Sequence, residues 1–467
     1  MRRLAATTAL VLLALAAPAA AQDAHSPNLT HVTTLPYEAR NGTTPNYGTD
    51  IEFARIGDRQ YALAGSYRNG LQIVDITDPE QTRIAAVYDC GITQGDPQVF
   101  RRGERTYVTY TSDTFGDGTS TCYREAAALG FETLKADGTG RNGTFIADIT
   151  DPLNPVTVSF VHVEQGSHNQ TVHPSGNYLY NSNSDLITSY EPAIEVFDIS
   201  DFAAPRKVTE LALPLRPGLG TESHDITFNE AGDRAYSAAL SQGVIIDTSD
   251  PAAPSVVTSF LDPAINVWHE MEDVTVDGRQ FLIAEDEFAG AAGGPVCPSG
   301  GVHVYDITGD NELNPVKVGY WNIDEVRPTT SPTHSCTAHV FDIHEDAKIM
   351  TIAYYNGGVR VVDLSGLAGI SLGGAQIAGQ GMREIGFYRF ANANSWSAKT
   401  PFIDPETRDF YVYGNDIARG LDVYRFDGQA ATSANDGAWL TLAQALARSK
   451  ALPKVKLSPR TAFFCLL

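Results

Sequence analysis

Short apolar runs alternate with polar residues along most of the chain, and each run stops at an acid and a turn. The clearest is GLQIVDITDP, Gly70–Pro79. The pattern returns as GTFIADITDP (143–152), AIEVFDISDF (193–202) and QGVIIDTSDP (242–251), then as GGVHVYDITG (300–309), GGVRVVDLSG (357–366) and RGLDVYRFDG (419–428). Aligned on Asp75, Asp148, Asp198, Asp247, Asp306 and Asp363, with Tyr424 replacing the acid in the last copy, these make seven units. The shortest spacings are 49 and 50 residues.

Each unit offers four strand-like runs; in the first they are 50–56, 60–65, 71–76 and 83–88. Period-two alternation and Val/Ile/Tyr content mark them as strands. A period near 50 with several short strands per unit predicts a β-propeller rather than a helical solenoid. The last unit ends after its third strand at Phe426, whereas Leu29–Leu35 is a spare strand before the first unit. Pairing the two closes the ring and removes exposed sheet edges. The predicted fold is therefore all-β: a seven-bladed β-propeller over residues 28–428, closed by an N-terminal strand. Residues 429–467 read as a polar linker, a short amphipathic helix at 439–451 and a tail. The Asp of each DIT or DIS is expected to bond nearby backbone N–H groups in a turn, not to ligate an ion.

The chain ends and the charge narrow the setting. Arg2 and Arg3, an apolar stretch from Leu4 to Ala17, and Ala19-Ala20-Ala21 form a secretory signal pattern over residues 1–21. The stretch is short for a membrane span, and no later segment approaches one, so no transmembrane segment is expected in the mature chain. The protein is expected to be secreted, whether extracellular, at the cell surface or periplasmic. The whole chain carries 33 Lys+Arg against 56 Asp+Glu. Removing Arg2 and Arg3 leaves 31 against 56, a net charge of about −25, which argues against nucleic acid as a partner.

Five cysteines in an exported chain point to disulfides. Cys90 and Cys336 fall in loops entering blades two and six. Cys122 and Cys297 fall in long insertions between second and third strands, at 112–142 and 285–301. All four belong to one face, and the expected bridges are Cys90–Cys122 and Cys297–Cys336.

Candidate chemistry appears when the innermost strands are aligned on ESHDITF, Glu222–Phe228. The position of His224 is taken by His168 in GSHNQTV, His339 in TAHVFDI, Glu272 in EMEDVTV and Asp96 in GDPQVF. Thr49 stands there in blade one and Lys399 in blade seven. His269 and His334 lie just upstream in loops of the same face. A lone histidine at a strand start more often bonds a neighbouring backbone than an ion. Several converging on an axis make a candidate site for a divalent transition metal such as Zn²⁺, Cu²⁺, Fe²⁺ or Mn²⁺. The candidate ligands are His168, His224, Glu272 and His339, with Asp96, His269 and His334 secondary. Asp225 and Asp273 are expected to support them. No nucleophile elbow, phosphate loop, zinc-protease helix or haem attachment motif is present in the sequence.

The repeats resemble those of LVIVD-repeat proteins, specifically the exported choice-of-anchor B group, over roughly residues 28–428. The resemblance implies an exported, often surface-associated β-propeller. Two functions follow as expectations. One is a binding module that presents tethered loops to a protein or polysaccharide. The other is a metal-dependent enzyme, oxidase or hydrolase, built on the histidine and carboxylate cluster.

Overall fold

The computed structural model describes residues 23–429, apart from 41, 164–165, 184–193, 217–219, 288–295, 324–326, 329–335 and 373–378. The side chains of 114, 115, 296, 297, 327 and 328 are likewise outside the described set. Seven four-stranded antiparallel blades follow one another along the chain. Blade one is Gly48–Ile56, Arg59–Ser66, Leu71–Asp75 and Arg83–Tyr88. The innermost strands of blades two to seven are Ile92–Arg102, Asn169–Val172, Asp225–Phe228, Trp268–Val276, His339–His344 and Ser395–Lys399.

The third strands carry the alternation read from the sequence, and they are buried on both sides because blades stack face to face. Val302, Val304 and Trp321 of blade five, for example, share a core with Phe341, Met350 and Val362 of blade six. The turn acids behave as expected. Asp75, Asp148, Asp198, Asp247, Asp306 and Asp363 each accept the backbone N–H two residues on. Bonds from the Ser200 hydroxyl and N–H hold the Asp198 carboxyl below its usual range. All six of these acids also pair with an arginine, as Asp306 does with Arg279 at 2.6 Å and Asp247 with Arg234 at 3.6 Å. The repeated acid thus ties each third strand to its own blade's second or fourth.

The ring closes through the N-terminal strand. Leu29–Leu35 pairs antiparallel with Gly420–Asp427, from Leu29 opposite Phe426 to Leu35 opposite Leu421. Just before it, Ala24–His25 adds to the outer edge of blade six against Arg389 and Tyr388. Blades six and seven are therefore both bound by residues from the start of the chain.

The insertion of blade two differs from a plain loop. Its second strand runs on as Arg105–Gly116, and Thr121–Ala128 forms a helix that buries Cys122, Tyr123 and Ala126. Asp89 supplies the missing cap by accepting from the Thr121 N–H (3.1 Å) and hydroxyl (2.7 Å). The next residue, Cys90, is disulfide-bonded to Cys122. The other expected bridge, Cys297–Cys336, falls partly outside the described residues: Cys336 is buried and disulfide-bonded, and the Cys297 side chain is not described. The signal pattern at 1–21, His334, the helix expected at 439–451 and the tail also lie outside. Among the described residues no helix is long and apolar enough to cross a membrane.

Candidate metal centre in the propeller channel

Each innermost strand enters the channel at the same mouth and leaves at the other. Side chains at its first positions therefore face their counterparts from the other blades. His168, His224, His269 and His339, from blades three to six, form an arc there. Adjacent ring centroids are 3.9, 4.2 and 4.5 Å apart. All four line one cavity of about 310 Å3 and are buried.

Burial sets their protonation. Taking an imidazolium out of water is unfavourable, and each ring has imidazole neighbours. His168 and His269 are held down to about 3, and His224 and His339 well below the usual histidine value. All four are neutral at physiological pH.

Their hydrogen bonds then set the tautomers. His224 Nδ1–H donates to the carbonyl of His269 at 3.2 Å, and His339 Nδ1–H donates to that of Trp396 at 2.6 Å. A carbonyl only accepts, so the proton of each ring sits on Nδ1 and Nε2 keeps a lone pair. His269 Nδ1 lies 2.9 Å from Glu285 Oε2. Glu287 completes the cluster. Its two oxygens lie 3.7 Å from His269 Nε2 and 3.8 Å from His339 Nε2, and Tyr355 donates to one of them at 2.7 Å. One ligand atom each from His269, Glu287 and His339 falls within 4.8 Å of the others. Two nitrogen or oxygen ligands on a tetrahedral zinc-sized ion stand about 3.4 Å apart, so binding would draw these side chains closer together.

The structure places His168, His224 and His339 in one arc, but among the described residues the close ligand-atom group holds His339 with His269 and Glu287, and not His168, His224 or Glu272. Sequence alignment gave Glu272 the place of His224, but His269 holds it. A register irregularity between Trp268 and Met271 lengthens this strand and carries His269 level with its neighbours. Glu272 lies further along the same cavity, among Asp342, Glu270 and Asp273. The expected supporters also change. Asp225 is held by Asn169 (3.0 Å) and its own Ile226 N–H, and Asp273 by Gln280 (3.0 Å). The acids beside the rings are Glu285 and Glu287, at the end of blade five's second strand. Sequence alone offered one signal for them: EDE at 285–287 opens the blade-five insertion.

Beyond the imidazoles the channel turns acidic around one ammonium. Lys399 Nζ lies 3.0 Å from Asp50 Oδ2 and 2.9 Å from Glu52 Oε1. Burial alone would push this ammonium down, but Asp50, Glu52, Glu270 and Asp342 hold it well above the usual lysine value. Asp96 also lines this part, where burial and the neighbouring Asp50 push its carboxyl well up.

Comparison with protein families matches the LVIVD repeat at residues 60–89 and 232–262, the second to fourth strands of blades one and four. Among solved structures the chain is similar to the β-propeller domain of Cps50 (Swd1) from Myceliophteria thermophila. That likeness has a TM-score of 0.49 and 10% identity, over 83% of this chain and 99% of that one. It is also similar to a functionally unknown protein from Desulfotomaculum acetoxidans, with a TM-score of 0.46 and 14% identity, over 73% and 89%. Comparison with curated proteins finds no match. On its own strand order, the chain is a seven-bladed β-propeller that carries LVIVD repeats.

Proposed function

We propose that this chain is an exported binding module whose channel holds a divalent transition metal, through His269, His339 and Glu287, with His224 and His168 beside them. The carrying observation is His339 Nε2. It is buried in a residue with 0% exposure and has no hydrogen-bond partner among the described residues. Its ring proton is committed to Nδ1, and the atom faces Glu287 across from His269. A buried lone pair left unmatched costs about 1–3 kcal/mol, and a bound cation removes that cost. Neutral imidazole and carboxylate suit Zn²⁺, Cu²⁺, Fe²⁺ or Mn²⁺. Glu285 on His269 Nδ1 and the Trp396 carbonyl on His339 Nδ1 orient the rings as outer partners of metal-bound imidazoles do.

Export is supported by the signal pattern of residues 1–21 and by a disulfide between Cys90 and Cys122. The interaction role is supported by the repeats and by the bridged helix Thr121–Ala128, carried by a second-to-third-strand insertion on the histidine face. The wider resemblance to the choice-of-anchor B group agrees with both. A metal-dependent oxidase or hydrolase is the second reading, favoured by the cavity that adjoins the imidazoles.

Metal analysis of protein purified without an affinity tag tests the centre. Stoichiometric transition metal is expected, and it should be lost in His269→Ala/His339→Ala. Substoichiometric metal that this double replacement leaves unchanged overturns the proposal.

A further inference from the structure

The channel beyond the imidazoles is lined by polar atoms that nothing in the fold satisfies. Asn169 Oδ1 and Thr171 Oγ1 are buried without a hydrogen-bond partner among the described residues, and their residues are only 8% and 7% exposed. Asp50 and Asp96 face the same space but partner each other, and that contact helps push the Asp96 carboxyl well up. Both unmatched atoms lie on blade three's inner strand and border the same cavity of about 310 Å3. One orphan is an ordinary imperfection. Two side by side on one wall mark a place that a ligand can match, since each costs about 1–3 kcal/mol if left unmatched.

The wall decides what kind of partner fits. Apart from the imidazoles, the charged groups lining the cavity are carboxylates and Lys399. Lys399 is already gripped by Asp50 and Glu52, so no free cation is offered to an anion. A cationic ligand would supply donors only and would sit against that ammonium. Thr171 and the amides of Gln94 and Gln98 both donate and accept, whereas Asn169 Oδ1 accepts. Hydroxyl groups match such a mixed wall, because each donates and accepts. The volume lies at the small end of ligand pockets. A way in exists from the far mouth. Phe228 and Glu272 line both this cavity and an outer one of about 900 Å3, which the strand-end turns of blades four, six and seven surround.

We propose that the channel binds a small neutral polyol, of the size of a monosaccharide or cyclitol, between the imidazole arc and the Lys399 cluster. This goes beyond the metal centre and does not depend on it, because neither unmatched atom belongs to an imidazole or to Glu287.

Ligand-observed NMR on the full mature chain tests it, with D-glucose and myo-inositol as polyols, spermidine as a cation and citrate as an anion. Metal-loaded and chelator-stripped protein are run in parallel. Saturable binding of glucose or inositol is expected in both, with affinity falling about tenfold in Thr171→Val, the loss of one good hydrogen bond. Asn169→Leu/Thr171→Val should fall further, with circular dichroism reporting its fold. Thr171→Val is nearly isosteric, so it keeps the test alive if the double variant fails to fold. Absence of polyol binding, binding of spermidine or citrate alone, or polyol binding unchanged in Thr171→Val overturns the inference. Stripped protein that still binds glucose supports it even where the metal centre fails. Protein that holds metal but binds neither polyol refutes the polyol site alone.

Discussion

Replacing Lys399 with methionine tests whether the channel's acidic half is held together by one buried cation. The residue is 8% exposed and makes ion pairs of 3.0 and 2.9 Å with two acids of blade one. Methionine keeps most of the volume and removes the charge, leaving Asp50 and Glu52 uncompensated in a confined space. Removing one partner of a buried pair costs about 3–5 kcal/mol, more than the intact pair contributes. The loss must depend on pH. Glu52 already stands above its ordinary 4.5, because burial raises it and Lys399 only partly lowers it. Without the ammonium its folded value rises further. A carboxyl whose folded value exceeds its unfolded one binds more protons when folded. Its stabilising contribution is present below about 4.5 and is lost as pH rises through the folded value. Urea unfolding of wild type and Lys399→Met at pH 8 and near pH 4 should show a deficit of about 3–5 kcal/mol at the higher pH. That deficit should shrink at the lower pH. Adding Asp50→Asn and Glu52→Gln to Lys399→Met should recover most of the loss at pH 8. A deficit below about 1 kcal/mol, the scale of an exposed pair, or one that ignores pH, refutes the reasoning.

Two further outcomes follow from the ring and its tether. Cys90→Ser/Cys122→Ser opens a cross-link between residues 32 apart and should cost about 4 kcal/mol on the loop-entropy relation, read as a lower urea midpoint. An unchanged midpoint would show that Asp89 and the packing of Thr121–Ala128 hold the insertion unaided. Deleting residues 23–35 strips the outer strand from blade seven and the edge residues from blade six. Exposed edges pair with other chains, so light scattering should show oligomers or aggregates, and a stable monomer would argue against strand closure as the ring's lock.

How far the sequence disclosed the site depends on which kind of constraint placed each residue. The blades were legible because one turn is copied along the chain, and its Asp does the same local job at Asp75, Asp148, Asp198, Asp247, Asp306 and Asp363. His168, His224 and His339 were legible because a short inner strand leaves little freedom between its first polar residue and its first core residue. Blade five breaks that relation. Its inner strand is nine residues long and irregular between Trp268 and Met271, so counting back from the core residue Val274 stops at Glu272 and leaves His269 as a secondary candidate. Glu285 and Glu287 were hidden for another reason. They reach the imidazoles from a neighbouring strand, a relation that no alignment of inner strands contains.

The same geometry gives the channel two ends with different dependence on the ring. The imidazoles come from four consecutive blades, three to six, and touch their neighbours in chain order. The acidic end bridges the seam, because Lys399 belongs to the last blade and Asp50 and Glu52 to the first. Blade seven is completed only by Leu29–Leu35, so the partners of Lys399 are in place only once the ring has closed. Loosening the closing strand should therefore disturb the Lys399 cluster and the polyol wall formed by Asp50 before it disturbs His224, His269 and His339. The imidazole arc is built into the middle of the repeat array, whereas the space beside it exists only because the array closes on itself.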